Sequence, residues 1–69
     1  MKQKMPIWKS DNDEKVSCVE KIKVMQENLE ELEQMAQDTF EDGILMGVSS
    51  KQLKDFLVEI MNNLHNPYK

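Results

Sequence analysis

The chain has 69 residues, carries a formal net charge of −4 and is 39% hydrophobic, with two Gly, two Pro and one Cys. One small domain fits in that length, and its core is marginal enough for oligomerisation to be a common remedy. The composition excludes collagen-like and disordered chains, the lone Cys18 excludes an internal disulfide, and no apolar run approaches the roughly 20 residues of a membrane span.

Glu, Lys, Leu, Met and Gln dominate, and all are strong helix formers. β-branched and aromatic residues are few, so the expected class is all-α. Every basic residue is Lys, and none falls between Met25 and Ser50. That face repels phosphate, so no direct nucleic-acid binding is expected. The start, "MKQKMPIWKSDNDE", lacks the apolar core of a signal peptide. The expected location is cytoplasmic, with no membrane association.

Residues 1–10 hold Pro6, scattered Lys and no helical period. They predict a flexible N-terminal tail, followed by a helical hairpin interaction domain over residues 11–66. Its apolar knot, "MPIW", either covers one end of a helix bundle or serves as a docking motif. "SDND" follows, and any of its side chains can cap a helix, so the first helix is expected to start near Asp13.

From there Cys18, Ile22, Met25, Leu29, Leu32 and Ala36 recur at alternating spacings of four and three. This is an a/d pattern, read either as an amphipathic helix on a local core or as a coiled-coil seam. Cys18 is expected to be a small core residue. Gly43 either ends the helix or lies inside it at a close helix contact. Gly47 is the better stop, because it can adopt the left-handed conformation freely, so helix one is expected over about residues 13–46.

Ser49 and Gln52 fit the capping box, and Val48 with Leu53 fits the hydrophobic staple. Helix two is expected over about residues 50–64, burying Leu53, Phe56, Leu57, Ile60 and Leu64 before "NNLHNPYK" breaks it. The expected architecture is a hairpin with unequal arms. The short arm leaves Ile22, Met25 and Leu29 without an intrachain partner. An uncovered apolar stripe is unfavourable in so small a chain, so another chain is expected to complete the fold.

No cluster carries obvious chemistry. His65 has no second His or Cys for a metal site, Cys18 has no base placed beside it, and the carboxylates read as a solvated helix face. No phosphate-binding Gly-rich loop is present. No enzyme activity, cofactor or metal is expected.

"GVSSKQLKDFL" resembles the helix turn of the Sin repressor/antirepressor dimerisation family. The matching residues are Gly47, Val48, Ser49, Gln52, Leu53, Lys54, Phe56 and Leu57, with Phe40 and Gly43 in corresponding upstream places. The family's upstream Trp is missing, and Ala36 stands near its place. The resemblance covers residues 36–57. It implies interlocking helical hairpins, as a homodimer or higher homo-oligomer or as a heterodimer with a transcriptional repressor. Having no room for the repressor's helix-turn-helix domain, the chain is similar to the antirepressor. The expected pairing residues are Ile22, Met25, Leu29, Leu32, Phe40, Val48, Leu53, Phe56, Leu57 and Ile60, with Gly47, Ser49 and Gln52 forming the turn and cap.

Other readings stand beside it. One is a homo-oligomeric structural or adaptor protein. Another is an acidic DNA mimic acting through Glu30, Glu31 and Glu33. The third is a phosphatase of response regulators, because "SKQL" resembles the start of helix two in sporulation-type aspartyl-phosphate phosphatases. In that family the next residue is Asp; here it is Lys54, and Asp55 lies about 100° round the helix.

Overall fold

The structure, a computed structural model, describes residues 4–68. Residues 1–3 of the expected tail lie outside the described residues. Among the described residues there are two helices, α1 (Val19–Leu45) and α2 (Ser50–Asn62), and no strand beyond one isolated antiparallel bridge, Lys9 with Lys15. The class is all-α, with a long first helix and a shorter second one. The chain divides into two units, Met1–Gln34 and Met35–Lys69, and α1 contributes to both.

In the first unit α1 starts at Val19 and not near Asp13. The capping residues act earlier, and on a tighter turn. The Asp13 N–H donates to the Ser10 carbonyl at 2.9 Å, and the Ser10 N–H donates to the Glu14 carbonyl at 2.7 Å. Ser10 Oγ accepts from the Asn12 and Glu14 N–H groups, each at 3.3 Å. Asp13 has φ 64°. This is a three-residue hairpin loop ending on a left-handed residue, a conformation that Asp tolerates better than most. The Val16 N–H then donates to the Trp8 carbonyl at 2.8 Å, which closes the loop. "SDND" thus spends its hydrogen-bonding capacity on a turn.

The helix begins one residue after Cys18, whose carbonyl accepts from the Ile22 N–H at 3.0 Å. Cys18 is therefore at the cap and exposed, not in a core. The stripe proper begins at Ile22.

The second unit contains the hairpin. Gly43 lies inside α1 and is the only fully buried residue among those described. The Gly47 N–H donates to the Ile44 carbonyl at 3.0 Å, and the Val48 N–H to the Gly43 carbonyl at 2.9 Å. Gly47 has φ +90°. This pair of bonds is the Schellman motif, and it satisfies carbonyls that the helix end would otherwise leave orphaned. Ser49 caps α2, its Oγ accepting from the Gln52 N–H at 3.2 Å. The stop, turn and restart expected over residues 47–52 are all formed.

α2 ends at Asn62, so Leu64 lies beyond it and is exposed. The Asn63 N–H is shared between the Glu59 carbonyl at 3.0 Å and the Ile60 carbonyl at 3.3 Å, which tightens the last turn. Beyond Pro67, Asn66 Oδ1 accepts from the Tyr68 N–H at 2.8 Å. That is an Asx turn, incompatible with continued helix.

Candidate protein-interaction surface

Position along α1 and α2 decides where each expected pairing residue stands. Ile22, Met25, Leu29 and Leu32 share one face of α1 in the first unit. Ile22 and Leu29 are half-buried, while Met25 and Leu32 remain 47% and 43% exposed. They are not wholly unpartnered, as the unequal arms suggested. Trp8 and Val16, both half-buried, line one groove with Ile22, Met25 and the stems of Lys9 and Lys21. The closed loop of residues 8–16 brings Trp8 there, and Ile7 beside it stays exposed. The knot "MPIW" thus meets the start of α1 through its Trp. A second groove, lined by Glu20, Lys21, Val24, Met25 and Asn28, flanks the same Met25 ridge.

Phe40, Val48, Leu53, Phe56, Leu57 and Ile60 belong to the hairpin of the second unit. Half-buried Ala36 and Phe40 and buried Gly43 recur at helical spacing and form the α1 face of the hairpin. Leu53 Cδ2 sits against Gly43, so closely that a Cβ there would require the end of the Leu53 side chain to turn aside. Val48 reaches the same place: its Cβ lies 3.8 Å from where a Gly43 Cβ would stand. Leu57, one turn after Leu53, is likewise half-buried. Lys54 Nζ lies 5.6 Å from the centre of the Phe40 ring, a cation–π distance.

The neighbouring row of α2 is different. Phe56 is 58% exposed and Ile60 42% exposed, and Val48 at the turn is also open. Helix two was expected to bury Phe56 and Ile60; within this chain it does not. Its apolar stripe is too wide for one neighbour, so Leu53 and Leu57 turn inward while Phe56 and Ile60 face outward. Beside the turn, Ile44, Leu45 and Met46 are exposed as well. Among the described residues no hydrophobic side chain is fully buried.

The polar groups do not converge. Lys51 Nζ pairs with Asp55 Oδ2 at 2.7 Å on the solvent side of α2. Gln37 Nε2 donates to Glu41 Oε2 at 2.8 Å, another exposed pair one turn apart. Such pairs support a helix by a few tenths of a kcal/mol, about 0.2–0.5 each. No group of three or more His, Cys, Asp or Glu among the described residues could hold a metal ion. No helix among them is long and apolar enough to cross a membrane. His65 is exposed past the end of α2.

Sequence reasoning placed the turn and both apolar stripes, and it held open both a helix-covering role for "MPIW" and a place for Gly43 at a close helix contact. It did not identify Val16 beside Trp8, because that loop leaves no period. Lys54 over Phe40 follows from helix packing that one-dimensional spacing does not specify.

Comparison with family models, with curated proteins and with solved structures gave no match.

Proposed function

We propose that the chain is a non-enzymatic protein-pairing module of antirepressor type. Its hairpin offers the open row Val48, Phe56 and Ile60 to the apolar hairpin of a transcriptional repressor and displaces one half of the repressor's dimer. One observation carries the reading. α2 packs one apolar row, Leu53 and Leu57, and leaves the adjoining row exposed. A helix row of that kind fits a partner helix in groove-like fashion.

Magnitudes support it. A fully buried side chain of this size contributes about 1.5–3 kcal/mol. Leu53, Leu57 and Phe40 are only half-buried, so the isolated hairpin gains half of that from each, about 1 kcal/mol. Folding is stable only by a small difference between large opposing contributions, and closing Phe56 and Ile60 under a partner adds to the favourable side. The resemblance of residues 47–57 to the Sin turn names the partner class. The Lys-free stretch before it favours a protein partner over nucleic acid.

Mixing the chain with an intact, operator-bound Sin-type repressor tests this. The expected result is a heterodimer that releases the repressor from its operator, and its loss in Phe56→Asp. A repressor that stays dimeric and operator-bound at excess chain sinks the proposal.

A further inference from the structure

We infer that the occupant of the open hairpin row is an apolar helix flanked by basic side chains, which pair with Asp42 and Glu59. The inference rests on the reading of Val48, Phe56 and Ile60 as a pairing row, and adds the chemistry of the partner. Lys54 fixes the two sides of the hairpin, because its Nζ reaches over Phe40. Measured round α1 from Gly43, which faces Leu53, Phe40 lies about 60° to one side, while Asp42 lies about 100° and Met35 about 80° to the other. Measured round α2 from Leu53, Lys54 lies about 100° to one side, while Phe56 lies about 60° and Glu59 about 120° to the other. Lys54 and Phe40 therefore mark one side, and Met35, Asp42, Phe56 and Glu59 share the opposite one. There Met35 and Phe56 are 68% and 58% exposed, and both carboxylates are exposed.

The charge on that side is of one sign. Lys51 and Lys54 are the lysines among the described residues of the second unit. Lys54 is held over Phe40, and Lys51, about 160° from Leu53 on the Lys54 side, pairs with Asp55. Asp42 and Glu59 also stand where their own helices disfavour them. Each lies in the last turn of its helix, and neither helix has a basic residue there. A carboxylate at the negative end of a helix dipole is unfavourable, and a partner's cation offsets that cost. A second copy brings the same two carboxylates to the row, so like charges meet and it holds the row less tightly than a basic helix does.

Two synthetic helical peptides with one shared Leu row, flanked by Lys in one and by Glu in the other, test this when titrated into the full chain. Anisotropy of the labelled peptides gives the affinities. The Lys-flanked peptide is expected to bind roughly tenfold more tightly, as two exposed ion pairs supply, and added salt narrows the gap. Asp42→Lys with Glu59→Lys reverses the preference; both changes suit the helix ends, so the fold is kept. Glu41→Lys, on the Phe40 side, leaves the preference in place. Equal affinities, binding of neither peptide, or a preference that the charge-reversed chain retains overturns the inference. Intact, operator-bound Sin-type repressor separates it from the reading on which it rests. Release by the wild type and equally by the charge-reversed chain overturns the basic flanks and leaves the antirepressor reading standing. Absence of release with the peptide preference intact does the reverse.

Discussion

Leu53 Cδ2 occupies the space in which a Cβ on Gly43 would stand. This relationship gives a packing reason for a glycine where helix propensity alone disfavours one. Replacing Gly43 by Ala improves propensity by about 1 kcal/mol, but overpacking costs typically about 1–3 kcal/mol. The expected net effect of Gly43→Ala is a destabilisation of about 1 kcal/mol, lessened because Leu53 can turn at its end. In a Leu53→Ala background the clash is gone and Gly43→Ala becomes stabilising. Urea unfolding of the four proteins measures this cycle. A Gly43→Ala midpoint above wild type would show that the helices have room to spare.

The turn supplies a second test. Gly47 has φ +90° with nothing within 4 Å of a built Cβ, so strain there comes from the backbone and not from crowding. Gly47→Ala is expected to cost about 1–2 kcal/mol and Gly47→Asn distinctly less, because Asn visits the left-handed region more readily. Ser49→Ala removes the cap and costs about 1 kcal/mol. Equal losses for the Ala and Asn variants at 47, read from urea midpoints, would refute the conformational explanation.

Trp8 is the only Trp, so its emission reports on the first unit alone. Half-buried with Val16, Ile22 and Met25, it should emit to the blue of free indole. Ile22→Ala should shift it red, and Phe56→Asp should leave it in place. Fully solvated emission from the wild-type chain would mean that the loop of residues 8–16 does not hold the ring on α1.

Asp55 is paired with Lys51 at 2.7 Å on the exposed side of α2, and Lys54 stands where the phosphatase pattern has Asp. Incubation with a phosphorylated response regulator should therefore leave phosphate loss at the spontaneous rate. Turnover that disappears in Ser50→Ala would restore the phosphatase reading.

Local chemistry explains which features could be read from the sequence. "GVSSKQL" specified its turn because each residue acts on its nearest neighbours: Gly47 through φ, Ser49 through one hydrogen bond, and Val48 and Leu53 through the same point on α1. "SDND" misled for the same reason. Ser10 can cap a helix or close a turn with the same Oγ, and the choice falls to the Trp8–Val16 pairing across the loop. The heptad pattern located the stripe but overcounted it by Cys18, which lies at the cap. The hairpin stripe was legible as a set, whereas its division into inward Leu53 and Leu57 and outward Phe56 and Ile60 depends on where the single neighbouring helix lies.

The central claim is that another chain completes the apolar surface that this one leaves open. Light scattering of the purified chain, at concentrations where its helices are formed, tests it most directly. The account predicts a mass that is a multiple of the 8.1 kDa chain, with helix content falling as dilution separates the copies. A helical species of 8.1 kDa that unfolds cooperatively and independently of concentration would contradict it.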